Sequence, residues 1–329
     1  MPPADQAPSG LRRLFRLIGV GTAPPEQTER EVPMVDDETT ELEPDEHLPV
    51  PDTEDIATLR ARGQEEPEPL LLPRTIAVAN RKGGVGKTTT AVNLGAALAE
   101  QGYRVLIVDL DPQCNATTGL GIDQEKISGS MYDAIMNDVP IEDCVEATSV
   151  RNLFVVPAHR DLGGAEVELV PAFSRELRVR RALATVKDDY DFILIDCPPS
   201  LGLLTVNGLA AADDVIVPLQ CEYYALEGLG MLLSNVSLVR RDLNPNLDVR
   251  GIVLTMFDAR TKLAEQVERE VRGHFGAKVY RTVVPRTVRI SEAPSFGQPV
   301  TVFDPTSRGA IAYRELAKEV SRGATRRAG

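Results

Sequence analysis

The chain has 329 residues and a formal net charge of −13, from 36 Lys+Arg against 49 Asp+Glu. The imbalance is local: residues 21–73 carry 16 acids and 3 bases, residues 1–20 contribute +2 and residues 74–329 contribute −2. One uniform globular domain from residue 1 is therefore excluded, and so is reading the acidity as a property of the folded part.

In chain order, the first feature is Leu11-Arg12-Arg13-Leu14-Phe15-Arg16-Leu17-Ile18. Leu11, Leu14, Phe15 and Ile18 share one helical face, with Arg12, Arg13 and Arg16 off it. The segment reads either as a short, fraying amphipathic turn or as a docking peptide for a polar scaffold or an anionic membrane surface. Residues 21–73 are acidic, and the first 73 residues hold 12 of the 24 prolines. Such a tail buries too little apolar surface to offset its ordering entropy, so residues 1–73 are expected to be disordered. No apolar run is long enough to span a membrane, and no secretory signal is expected. Cys114, Cys144, Cys197 and Cys221 show no C-x-x-C spacing, which fits buried thiols in a reducing cytosol. His47, His159 and His274 are scattered, so a histidine metal site or triad is not expected.

From residue 75 apolar, β-type runs alternate with helical patterns. Strands are expected at 75–79, 105–108, 153–156, 192–195, 215–218, 251–255 and 279–284. Helices are expected at 88–101, 174–185, 228–242 and 262–275. Near-continuous apolar strands separated by helices predict a doubly wound, mostly parallel α/β sheet with helices on both faces, formed by residues 74–329. Ligands in such sheets bind at the carboxyl ends of the strands.

The first strand runs into Asn80-Arg81-Lys82-Gly83-Gly84-Val85-Gly86-Lys87-Thr88-Thr89-Thr90 and then a helix. This strand–loop–helix pattern predicts a P-loop. The backbone from Gly83 through Val85 and Gly86 to Thr89 wraps a phosphate, Lys87 reaches the terminal phosphates of ATP, and the Thr88 hydroxyl can ligate Mg²⁺. The common pattern has glycine where Arg81 stands, and Lys82 stands directly before Gly83. Two later strands end in carboxylates. Val105-Leu106-Ile107-Val108-Asp109-Leu110-Asp111 offers Asp109 for the magnesium surroundings, and Phe192-Ile193-Leu194-Ile195-Asp196 offers Asp196 as a Walker B carboxylate. Both acidic strands are expected to flank the loop.

Lys82 before the P-loop glycines resembles the signature lysine of the deviant Walker A ATPases, the group that includes ParA, MinD and the nitrogenase iron protein. Further stretches resemble the ParA/Soj partition ATPases: Asn115-Ala116-Thr117-Thr118-Gly119-Leu120-Gly121, Cys221-Glu222-Tyr223-Tyr224-Ala225-Leu226-Glu227-Gly228 and Arg289-Ile290-Ser291-Glu292-Ala293-Pro294-Ser295. The resemblance implies an ATPase whose ATP-bound form is a homodimer, with Lys82 reaching the partner's nucleotide as an arginine finger would. It implies that Asp111 acts as orienter or base for the attacking water, that Glu222 and Tyr223 approach the partner's nucleotide, and that Pro285 and Arg286 lie near the adenine. It implies non-specific DNA binding through Arg260 and Arg289, stimulation by a ParB-type centromere-binding protein, and a cytoplasmic, nucleoid-associated location.

Charge supports the DNA reading independently. Residues 74–236 carry 13 bases and 22 acids, whereas residues 237–329 carry 17 bases and 10 acids. A basic last third points to a polyanion-binding face, which Arg240, Arg241, Lys262, Arg281 and Arg286 can extend. Phosphate contact without base readout is the expected chemistry. The rival is a MinD-like membrane-associated positioning ATPase anchored by residues 11–18, since residues 321–329 lack apolar anchors. A metallocluster ATPase would need bridging cysteines, and Cys114 and Cys197 do not sit in that pattern. The acidic first 73 residues do not fit an operator-binding helix-turn-helix domain.

Overall fold

The computed structural model describes residues 70–222 and 225–326. The segment at 11–18, the acidic tail as far as residue 69 and Tyr223 lie outside the described residues.

Ten strands are found among the described residues: β1 (Leu71–Leu72), β2 (Arg74–Val78), β3 (Val105–Asp109), β4 (Glu146–Ala147), β5 (Leu153–Val156), β6 (Phe192–Asp196), β7 (Asp214–Gln220), β8 (Asp248–Phe257), β9 (Val279–Pro285) and β10 (Thr325–Arg326). Eight of them form one sheet in the order β4-β5-β3-β6-β2-β7-β8-β9. Every neighbouring pair is parallel except β4 with β5. The expected fold class holds, with a two-residue antiparallel edge added.

The continuous apolar strands follow from burial on both faces. Leu106, Val108, Ile193 and Ile195 point into one core, and Val105, Ile107, Phe192 and Leu194 into the other. Alternate residues of one strand thus serve opposite layers, so no polar position is left. One layer holds α1 (Lys87–Glu100), which presents Leu94 and Leu98. The second layer includes α5 (Arg178–Leu183), α6 (Leu203–Ala211), α7 (Ala225–Asp242) and α8 (Lys262–Phe275). Between them in sequence lie the short helices α2 (Asn115–Gly119), α3 (Met131–Met136) and α4 (Leu162–Glu168). After α8 come α9 (Val288–Glu292), α10 (Val300–Phe303) and α11 (Arg308–Val320), and α11 packs on α1 through Tyr313, Leu316 and Val320. Gly95 lets α1 sit close to the sheet, because a Cβ there would lie 3.0 Å from Ile107 Cδ1.

Two expectations shift. The helix expected at 174–185 is a 3₁₀ turn at Arg175–Leu177 followed by the shorter α5. Asn207 on α6 accounts for this. Its Nδ2 donates to the Arg175 carbonyl (2.8 Å) and its Oδ1 accepts from the Val179 N–H (3.2 Å), so a neighbouring helix satisfies backbone groups that a longer helix would pair internally. The fold also begins before residue 74. Leu70 and Leu72 are buried, and β1 pairs in parallel with β10, Leu71 opposite Thr325 and Leu72 opposite Arg326. Leu70 to Leu72 end the acidic stretch with an apolar triplet that can join the core beside α11.

Leu72→Ala is expected to destabilise the protein by about 2–5 kcal/mol through the cavity it leaves. Thermal unfolding followed by circular dichroism checks this; an unchanged midpoint would remove β1 from the fold's core.

Candidate nucleotide site

The loop between β2 and α1 is pinned from both sides. Asn80 Nδ2 donates to the Pro218 carbonyl of β7 (2.7 Å), and its Oδ1 accepts from the Lys82 N–H (3.1 Å). Thr255 of β8 donates its hydroxyl to the Val85 carbonyl (2.8 Å). Gly84 and Gly86 have φ of 74° and 86°, left-handed conformations that favour glycine. Gly86 is the N-cap of α1 and provides no side chain, so no side-chain cap covers the helix N-terminus. That terminus therefore presents N–H groups and partial positive charge towards the loop.

A cavity of about 460 Å³ opens here, lined by Gly84, Lys87, Thr88 and Asp111 on one side and Met256, Pro294 and Gln298 on the other. This size suits a nucleotide. Lys87 is buried, and its Nζ donates to the Lys82 carbonyl (3.0 Å). Burial lowers its pKa, and the negative charge of Asp196 opposes that shift. Met256 holds a left-handed conformation (φ 50°) against the cavity, a costly backbone for a non-glycine residue.

The three carboxylates divide the work. β6 lies between β2 and β3, so the Asp196 strand is the direct neighbour of the P-loop strand and the Asp109 strand lies one position further out. Parallel register places Val78, Asp196 and Asp109 level across the three strands. Asp111 lines the cavity, and its Oδ1 accepts from the Gln113 N–H (2.9 Å). Asp109 is fully buried and turned to internal use. Its Oδ2 accepts from the Thr117 N–H (2.9 Å) and hydroxyl (2.7 Å), and its Oδ1 accepts from the Asp111 N–H (3.1 Å). Burial pushes its carboxyl up to about 6, against the pull of those hydrogen bonds. Asp109 thus positions Asp111 and is not among the cavity-lining residues.

Asp196 is also fully buried, and neither of its carboxylate oxygens has a hydrogen-bond partner. Burial holds its pKa well above the usual range. The charges of Asp109 and Asp111 add to this, while the nearby Thr88 hydroxyl and Lys87 oppose it. An orphaned buried carboxylate beside a threonine hydroxyl fits a divalent cation bound by oxygen ligands and phosphate. Thr88 and Asp196 are the residues that would hold it.

Lys82 stands apart from Lys87. Its Nζ pairs with Glu222 Oε2 at 2.5 Å, at the half-exposed mouth of the loop, and Gln220 Nε2 holds the other Glu222 oxygen at 2.5 Å. Glu222 is thus brought to the site through Lys82. Pro285 and Arg286 line a second, neighbouring cavity with Arg260 and are not among the residues lining the P-loop cavity. Arg260 and Arg289 are exposed, but each is paired with acids: Arg260 with Asp258 (2.6 Å), and Arg289 with Glu292 (3.1 Å) and Asp304 (3.2 Å). Arg240 is tied to Asp248 (2.6 Å) and Arg241 to Asp242 (2.7 Å).

Sequence reasoning missed Asn80, Thr117, Thr255 and Met256. Asn80 and Thr117 lie inside motifs, where polar residues among apolar neighbours were a usable signal. Thr255 and Met256 lie about 170 residues from the loop and carried none. All four cysteines are free and buried, and burial raises the thiol pKa of Cys114 and Cys144 to about 11 and of Cys221 to about 12. Among the described residues no helix is long and apolar enough to cross a membrane.

The sheet order, the glycine loop at the end of its central strand and the two acidic strand ends define a P-loop nucleoside triphosphatase. A family model described as an AAA domain matches residues 73–249. The Soj sporulation initiation inhibitor protein of Bacillus subtilis is 58% identical over 248 residues, covering 75% of this chain and 98% of that protein. The chromosome partitioning protein ParA of Myxococcus xanthus is 56% identical, covering 75% of this chain and 87% of that protein. A solved structure described as cobyrinic acid a,c-diamide synthase from Mycobacterium smegmatis, with bound ADP and magnesium, is 43% identical with a TM-score of 0.67. It covers 76% of this chain and 94% of that one. The chain belongs to the ParA/Soj-type chromosome-partitioning ATPases and is an ATP-hydrolysing enzyme of that family.

Asp109→Asn should disturb the Thr117 and Asp111 contacts and cost about 1–3 kcal/mol near neutral pH. The pH dependence has a definite sign. A folded pKa of about 6 above the ordinary carboxylate value means the native state holds an extra proton between about pH 4 and 6, so this group's contribution to stability falls as pH rises through that window. Unfolding midpoints across the window should lose that slope in Asp109→Asn; an identical slope in both proteins would assign it elsewhere.

Proposed function

We propose that the protein is an ATP-switched DNA-partitioning clamp. In this reading it binds ATP and Mg²⁺ at the P-loop, forms a homodimer across the nucleotides, holds DNA non-specifically in that state and lets go after hydrolysis. A ParB-type centromere-binding partner stimulates hydrolysis, and cargo follows the resulting gradient of DNA-bound protein. Location on the nucleoid follows from DNA binding.

The observation that carries the proposal is the division between two lysines of one loop. Lys87 is buried and directed inward, where it can serve the nucleotide of its own chain. Lys82 lies at the half-exposed rim, held by Glu222 in a pair that another anion can replace. Exposed ion pairs are worth only about 0–1 kcal/mol, so a phosphate group of a second subunit competes readily for Lys82. Release of Lys82 leaves Glu222 beside the dimer face, and its neighbour Tyr223 belongs to the same proposed contact.

Within the site, the α1 N-terminus and the loop N–H groups bind the phosphates, and Lys87 offsets charge that builds on the terminal phosphoryl group. Asp111, held by Asp109 through its own backbone, orients the attacking water. Magnesium, when bound, supplies charge neutralisation at the phosphate oxygens, with Thr88 and Asp196 as its protein partners. The similarity to Soj and ParA, at 58% and 56% identity, supports the partitioning reading over a MinD-like membrane role.

The test is retention of labelled plasmid DNA with ATP and with ADP, beside anionic liposomes, at about 100 mM salt. ATP-dependent DNA retention without liposome binding is expected; ATP-dependent liposome binding without DNA retention would reverse the reading. Lys82→Ala should leave a monomer in ATP by light scattering, and an ATP-dependent dimer in that variant would end its role across the interface. Asp111→Ala should remain a dimer on DNA with turnover reduced at least about a hundredfold; normal turnover would remove Asp111 from the chemistry.

A further inference from the structure

The far wall of the P-loop cavity is a tight turn, residues 293–298, directly after α9. Pro294 and Gln298 line the cavity. The turn closes on itself through the Gly297 N–H, which donates to the Pro294 carbonyl (3.0 Å), and the Gln298 N–H, which donates to the Ala293 carbonyl (3.3 Å). Two contacts fasten this turn to the rest of the site. The first is Asn93, in the second turn of α1, where it borders the cavity and is almost fully buried. Both of its amide groups are engaged by backbone. Its Nδ2 donates to the Thr89 carbonyl of the same helix (2.7 Å), and its Oδ1 accepts from the Val300 N–H (2.6 Å). Val300 is fully buried and opens α10 with no side-chain cap from its own segment, so Asn93 supplies the acceptor that this N–H needs. The second contact joins two glycines in left-handed conformations, Gly297 (φ 62°) and Gly121 (φ 78°). A Cβ on Gly297 would lie 2.6 Å from Gly121 Cα, so the two backbones touch directly. The wall is thus held on one side by the helix that begins with Lys87 and Thr88, and on the other by the loop after α2.

We propose that Asn93 is a positioning residue for the nucleotide. By holding the Val300 N–H it fixes the distance between the wall at 293–298 and the P-loop, and so the fit of the part of ATP beyond its phosphates. The proposal rests on the reading of this cavity as the ATP site. The phosphates are served by the loop N–H groups and Lys87, which do not depend on the wall. The nucleoside has to meet it, because the cavity runs from the P-loop to Pro294 and Gln298. A buried amide with both groups paired to backbone has one geometry, so the wall stands in place before the ligand arrives, and less ordering remains to be done on binding.

The experiment displaces a fluorescent ATP analogue with ATP and with inorganic tripolyphosphate, both with Mg²⁺, and follows steady-state hydrolysis. It compares the wild-type chain, Asn93→Leu and Gly297→Ala. Tripolyphosphate offers the phosphates without ribose or base. Asn93→Leu keeps the side chain's approximate size and leaves the Val300 N–H without its acceptor. Its ATP affinity is expected to fall about tenfold, with KM rising by the same factor. Its kcat and its tripolyphosphate affinity should stay at the wild-type values. Gly297→Ala disturbs the wall from its other fastening and should shift the same quantities in the same direction. Wild-type ATP affinity in both variants would overturn the proposal. So would an equal loss of ATP and tripolyphosphate, which is the mark of general damage to the P-loop, or a fall in kcat with KM unchanged, which would move Asn93 into the chemical step. Failure of tripolyphosphate to compete in the wild-type chain would overturn the reading of the cavity together with the proposal.

Discussion

The parallel register of β2, β6 and β3 is the constraint on which the rest of the site depends. It brings Val78, Asp196 and Asp109 to one level at the carboxyl edge of the sheet. From there a glycine loop leaves the central strand, and two carboxylates face it from strands that the chain reaches much later or by skipping a position. Parallel strands are joined by long crossovers that place helices on both faces, so the edge is free to carry loops. Burial of both faces also makes that edge dry, which is why Asp109 and Asp196 are held away from their ordinary pKa.

Two neighbouring carboxylates in the same dry environment meet different fates because their surroundings differ. Asp109 receives three hydrogen bonds, one from the Asp111 N–H and two from Thr117 of α2, and acts as a brace. Asp196 receives none and remains available to a cation. A buried acid with no partner is costly, and a metal ion with its phosphate is the kind of partner that offsets the cost. The cavity is thus prepared for a charged ligand by what it leaves unsatisfied as much as by what it supplies.

The same contrast between committed and uncommitted charge organises the surface. Lys82 is held loosely at the loop mouth, and Arg260 and Arg289 are paired with acids. Composition records the excess of bases after residue 236. Only the pairing pattern says which of those bases can meet an external phosphate without first breaking an internal contact.

Much of the fold was legible because it is local. Seven expected strands lie where runs of four to six residues stand, and the P-loop is one continuous run between a strand and a helix. The boundary at residue 74 was misplaced because Leu70 to Leu72 take their meaning from β10, some 250 residues away. The truncated helix at 174–185 depended on Asn207, and the brace on the loop depended on Thr255. By itself the sequence determined a phosphate loop, its helix, its acidic strand ends and the family they belong to, since those need only neighbours along the chain. The tertiary structure decided which acidic strand lies next to the P-loop strand, which carboxylate braces and which stays open, and which arginines are paired with acids. Those are questions of distance between groups far apart in sequence, and only packing sets such distances.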